Sequence, residues 1–160
     1  MKKIYLLIAA VVIALDQFTK QLIINNISPY EPIHVLPFFD IVNISNRGAA
    51  FGSLQWLGNP FFIIISLIAI VVIAVLMIKG KDHPLALSLI LGGAAGNLID
   101  RLRFGHVTDF LDFFAGRYHW PAFNIADSCL TIGIILIFLR LFTIRKQDSK
   151  KTEKDGSSGN

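Results

Sequence analysis

Apolar residues in this chain gather into four long runs, over residues 4–24, 60–78, 84–102 and 124–144, with polar or mixed stretches between them. A bilayer core takes about 20 apolar residues of helix, so each run predicts a membrane-spanning helix. The longest non-spanning stretch, residues 25–59, lies between the first two runs. Its segment His34-Val35-Leu36-Pro37-Phe38-Phe39-Asp40-Ile41-Val42-Asn43-Ile44 is rich in β-branched and aromatic residues and predicts short strands. Pro29, Pro32 and Pro37 restrict these to turns and edges. Residues 147–160 are polar, rich in Lys, Ser and Gly, and predict a disordered tail. The expected fold is an all-α membrane protein, a single four-helix domain over residues 1–146 with a small β-rich insertion at 25–59 and no internal repeat.

Composition agrees with that pattern. The 160 residues are 54% hydrophobic and 16% charged, with a mean hydropathy of +0.61, where a soluble domain carries about 25% charged residues. Lys2 and Lys3 before an apolar run also fit a secretory signal peptide. The run continues well past the small residues Ala9 and Ala10 without a cleavage point, so a retained helix is expected. The single cysteine, Cys129, forms no internal disulfide and reads as a small apolar filler in the fourth helix.

Basic residues near the helix ends set an orientation. Lys2 and Lys3, Lys79 and Lys81, and Arg145, Lys146 and Lys150 flank three helix ends that belong together on the cytoplasmic side. Residues 25–59 carry one basic residue, Arg47, and the connection after the third helix carries Arg103 and Arg117. Both termini are therefore expected in the cytoplasm and residues 25–59 outside it. The net charge of +4 follows from this bias and implies no nucleic-acid partner.

Against that apolar background the polar residues stand out. An ionisable group at or in a bilayer marks a functional site whose partner should be named. Asp109 follows the third helix in Val107-Thr108-Asp109-Phe110, and Asp127 opens the fourth in Phe123-Asn124-Ile125-Ala126-Asp127. Each is the candidate partner of the other, and two carboxylates sharing one proton can perform acid–base hydrolysis. A structural alternative stays open, because Asn124 and Asp127 also fit a capping box at a helix start. Asp112 competes with Asp109 for any role. Asp16 and Lys20 fit an i,i+4 ion pair, either structural or in contact with substrate. Gly93, Asn97 and Arg101 share one face of the third helix. The glycines fit close helix packing, Asn97 and Arg101 fit a pocket lining, and Asp100 fits an interfacial pair with Arg101. The segment Asn46-Arg47-Gly48-Ala49-Ala50-Phe51-Gly52 combines an amide, small residues that admit a ligand closely, and an aromatic. His34, His83, His106 and His119 are scattered without metal-ligand spacing, so no metal or other cofactor is expected.

Five blocks in this order, Asp16 with Lys20, residues 46–51, residues 93–101, residues 107–110 and residues 123–127, resemble the bacterial lipoprotein signal peptidases (signal peptidase II), a family of intramembrane aspartic peptidases. The resemblance spans nearly the whole chain and fails only in the tail. It implies removal of signal peptides from diacylglyceryl-modified prolipoproteins, by cleavage just before the lipidated cysteine. It maps the catalytic pair onto Asp109 and Asp127, and binding or supporting roles onto Asn46, Gly48, Asn97, Arg101 and Asn124. It implies that the insertion is the family's extracytoplasmic β-cradle, that membrane lipid and globomycin-type inhibitors are partners, and that the site lies near the outer face of the bacterial cytoplasmic membrane. The fold needs no second copy, so a monomer is expected. Buried acids and glycine-rich helices also suit a small proton-coupled transporter or a purely structural bundle.

Overall fold

The computed structural model describes residues 3–48, 54–80 and 83–157, with side chains described through Thr143. Lys2, Lys81 and the Ala49, Ala50, Phe51 and Gly52 part of the 46–52 motif lie outside the described residues. The elements run α1 (Lys3–Asn26), β1 (Ile33–Leu36), β2 (Phe39–Asn46), a short 3-10 turn (Gln55–Leu57), α2 (Gly58–Lys79), α3 (Pro84–Phe104), β3 (Val107–Ala115), β4 (Tyr118–His119) and α4 (Ile125–Ser157). Among the described residues, four helices are long and apolar enough to cross a membrane, the last over Ile125–Thr143. Their ends fall close to the runs of apolar sequence. Beyond the span, the backbone of α4 continues as helix to Ser157, where composition suggested a disordered tail. Lys, Gln and Glu are good helix formers, so this stretch extends a helix already nucleated.

Helix α3 is the axis of the bundle and packs against α1, α2 and α4. Within its span 61% of residues are buried inside the protein, against 11% for α2, which is apolar on every side and suited to lipid. Small residues make the central position of α3 feasible. A Cβ on Gly92 would lie 2.7 Å from Val12 of α1, and one on Gly93 would strike the carbonyl of Ala126 in α4. The packing reading of these glycines is therefore correct. His83 caps the start of α3 by accepting from Ala86 N–H, with Pro84 in the first turn. Gly105, at φ +77°, ends it in the left-handed conformation, and the chain turns directly into β3.

The sheet is antiparallel, in the order β1-β2-β3-β4. It is larger than the 25–59 insertion, because β3 and β4 come from the connection between α3 and α4. The apolar runs assign no element to that connection, yet Val107, Phe110, Leu111, Phe113 and Phe114 are strand-forming residues and give β3 a buried start. Stacked rings brace the sheet, with Phe39 and Phe113 at 4.6 Å and Phe113 and Phe123 at 5.9 Å between centroids.

Candidate active site

Strand register brings the first pair of site residues together. Asn46 of β2 lies opposite Val107 and Ile44 opposite Asp109, so Asn46 and Asp109 are diagonal neighbours on one face. Asn46 Nδ2 donates to Asp109 Oδ2 at 2.8 Å, while its Oδ1 accepts from Gly48 N–H at 3.0 Å. Asp112, three residues further along β3, faces the other way and pairs with His119 at 2.8 Å. Strand parity thus separates the two candidates that the sequence left in competition.

The start of α4 supplies the second acid. Asn124 is an N-cap, its Oδ1 accepting from Asp127 N–H at 2.9 Å. The same amide donates to Asp109 Oδ1 at 2.7 Å, so capping and site-building are functions of one side chain. Asn97 of α3 donates to Asp127 Oδ1 at 2.7 Å. A buried carboxylate on a strand, Asp109, and a part-buried one on a helix, Asp127, are thereby held by the amides of Asn46, Asn97 and Asn124. Burial pushes the Asp109 carboxyl up to about 7. The nearby charge of Asp127 adds to the rise, and the amides of Asn46 and Asn124 and the ammonium of Lys20 oppose it.

A cavity of about 350 Å³ opens beside this pair, lined by Asn46, Gly48, Asn97, Arg101 and Asp127 among others. Arg101 Nη2 donates to the carbonyl of Gly48 at 3.0 Å, and its guanidinium lies 4.4 Å from the Phe62 ring centre. Its Nη1 is buried without a hydrogen-bond partner among the described residues. The expected pair between Asp100 and Arg101 does not form. Successive residues on a helix point in different directions, and Asp100 turns instead toward α1.

There Asp16, Lys20 and Asp100 make a second acidic cluster, each no more than 2% exposed. Lys20 Nζ lies 2.9 Å from Asp16 Oδ2, 3.1 Å from Asp100 Oδ2 and 2.9 Å from Asn97 Oδ1, which uses all three ammonium donors. Gln17 donates to Asp100 Oδ1 at 2.8 Å. The i,i+4 pair is therefore real, and Asp16 and Lys20 lie behind the cavity rather than in its lining. Sequence reasoning missed Gln17 and the role of Asp100. The available signal was the i,i+4 offset of Asp16 and Lys20, with Gln17 on the adjoining flank. The remaining histidines do other things. His34 meets Asp40, His83 caps α3, and His106 meets Ser45.

Known proteins similar to this chain share its family and its fold. A model of the family described as signal peptidase (SPase) II matches residues 8–143. The lipoprotein signal peptidase of Syntrophotalea carbinolica is 47% identical over 144 residues, covering 86% of this chain and 89% of that protein. That of Alteromonas mediterranea is 43% identical over 160 residues, covering 96% and 86%. A bacterial membrane enzyme solved by the in meso method at 2.3 Å resolution is 39% identical and superposes with a TM-score of 0.80 over 89% of this chain and 90% of that one. Four apolar helices and this kinship make the chain a multi-pass membrane protein. It belongs to the signal peptidase II family, the aspartic-type lipoprotein signal peptidases.

Proposed function

We propose that the protein removes signal peptides from diacylglyceryl-modified prolipoproteins by hydrolysing the bond just before the lipidated cysteine, with Asp109 and Asp127 as the catalytic pair. The observation that carries this reading is the pairing of a buried and a part-buried carboxylate, linked through asparagine amides beside an open cavity. Neither forms a salt bridge among the described residues, so their proton is available for chemistry.

Close carboxylates do not both ionise readily. One member of the pair, ionised, takes a proton from water as the water attacks the scissile carbonyl. The other, protonated, donates to the carbonyl oxygen and stabilises the tetrahedral intermediate. The roles then reverse, and the proton passes to the leaving amine. Asn46, Asn97 and Asn124 hold the carboxylates in place. Arg101, with one nitrogen on Gly48 and the other unpartnered, suits a substrate main-chain carbonyl or a lipid headgroup, and Gly48 leaves room for it. Lipid chains lie against apolar faces of the bundle and contribute binding energy close to the reacting bond.

In this reading the protein works as a monomer in the bacterial cytoplasmic membrane. Its termini are cytoplasmic, the sheet is extracytoplasmic, and the pair lies near the outer face. A globomycin-type peptide blocks the pair. The test uses purified protein with a diacylglyceryl-modified prolipoprotein and its unlipidated counterpart. Signal peptide released only from the lipidated substrate supports the proposal. Equal cleavage of both refutes the lipid requirement, and cleavage of neither by folded protein refutes the activity.

A further inference from the structure

Lys20 stands where two hydrogen-bonded chains meet, and each chain ends on the residue just before a member of the aspartate pair. Along one arm Lys20 Nζ holds Asp16 Oδ2 at 2.9 Å, and Asp16 Oδ1 accepts the Ala126 N–H at 2.9 Å. The next residue is Asp127. Along the other arm Lys20 holds Asp100 Oδ2 at 3.1 Å, and that oxygen accepts the Thr108 N–H at 3.1 Å. The next residue is Asp109. The third donor of Lys20 goes to Asn97 Oδ1 at 2.9 Å, which turns the Asn97 amide toward Asp127.

We propose that Asp16, Lys20 and Asp100 form a clamp that sets the separation of Asp109 and Asp127, with Lys20 as its central positioning residue. This rests on the reading of Asp109 and Asp127 as the catalytic pair. The two aspartates come from a strand and a helix, elements that share no regular hydrogen-bond ladder. Near the cavity they are joined by the backbone bonds of Phe110 and Leu111 to Phe123 and by the Asn124 amide, which reaches Asp109 and the Thr108 carbonyl. The clamp adds a second connection from behind, through α1 and α3. It is built for rigidity. Gln17 bridges both arms, at 3.3 Å to Asp16 and 2.8 Å to Asp100, and also donates to the Gly96 carbonyl at 3.1 Å. A side chain at Gly96 would collide with the Asp16 carboxylate, so α3 is shaped around it. An ammonium serves here because one compact group with three donors can join two acids and an amide at once.

The clamp is tested by neutralising it without emptying it, in a protein carrying Lys20→Met, Asp16→Asn and Asp100→Asn. Each asparagine keeps an oxygen for its backbone N–H, so the helices stay seated, while the link between the arms is cut. The expected result is a folded protein whose kcat on lipidated prolipoprotein falls by about 100-fold, the scale of a misplacement near 1 Å, with KM within about twofold. Unchanged kcat in that folded protein overturns the proposal, as does a raised KM with unchanged kcat, which is the mark of substrate contact. A second comparison stands if the triple variant does not fold. Asp100→Asn, which keeps the Thr108 bond, retains more kcat than Asp100→Leu, which loses it, and equal kcat in the two overturns the clamp. If Asp109→Asn leaves turnover intact, the catalytic-pair reading is what fails, and the clamp result is judged apart from it.

Discussion

Two pairs of acids sit in or at the edge of this bundle, three of the four buried and Asp127 part-buried, and they differ in what faces them. Asp16 and Asp100 face an ammonium, and each also accepts a backbone N–H, from Ala126 and Thr108 respectively. Asp109 and Asp127 face side-chain amides, with a cavity alongside. Burial costs both pairs the hydration of their charge. The first is compensated by an opposite charge and is inert. The second is only partly compensated, and Asp109 holds its proton up to about 7. On the proposed reading, the reactive pair is the one that no cation among the described residues contacts directly, while Lys20 contacts both acids of the structural pair.

The largest way to break that contrast is to remove an acid from the uncompensated pair. Asp109→Asn should lower kcat by about a thousandfold, the combined scale of lost acid–base and electrostatic assistance, measured on lipidated prolipoprotein in single turnover. Next in size is the loss of the cation. Lys20→Met leaves Asp16 and Asp100 as unpaired buried charges and should cost about 3–5 kcal/mol of stability, read as a lower midpoint of thermal unfolding in detergent or nanodiscs.

A smaller effect sharpens the contrast through pH. The Asp109 carboxyl is raised above the ordinary carboxylate range, so the folded state holds that proton more tightly than the unfolded chain does. The associated stability is fully present at acid pH and is lost as pH rises through about 7. On the proposed mechanism one member of the pair must hold a proton, and if that member is Asp109, kcat should fall about tenfold per pH unit above about 7. A rate that stays level to pH 9 would contradict this. The smallest effect concerns an acid outside both pairs. Asp112→Asn removes a carboxylate that faces away from the site and pairs with His119, and turnover should stay within about twofold.

Much of this was legible in the sequence, for physical reasons that can be named. The helices were visible because a bilayer demands long apolar runs. Asp109 and Asp127 were visible because an acid at the edge of such a run is costly unless used. The Asp16 and Lys20 pair was visible because i,i+4 spacing puts both on one helix face. The sheet was only half visible. Residues 34–44 are rich in the β-branched and aromatic residues that strands favour, but β3 begins after only two intervening residues from the end of a membrane helix, and its pairing with β2 depends on a register between segments far apart in sequence. Asp100 was misjudged because its neighbour Arg101 seemed a ready counterion, whereas helix geometry sends the two side chains to different partners. The anchoring of both arms on the N–H groups of Ala126 and Thr108 had no sequence signal, since every residue but proline carries such a group.

The measurement that bears most directly on the contrast compares Asp127→Asn with Asp16→Asn, recording turnover of lipidated prolipoprotein and the thermal midpoint of each purified protein. The expected outcome is that Asp127→Asn abolishes turnover and leaves the midpoint nearly unchanged, while Asp16→Asn, which weakens one arm of the clamp, lowers the midpoint and keeps reduced but measurable turnover in the fraction that folds. Turnover surviving in Asp127→Asn, or vanishing in well-folded Asp16→Asn alone, would contradict it.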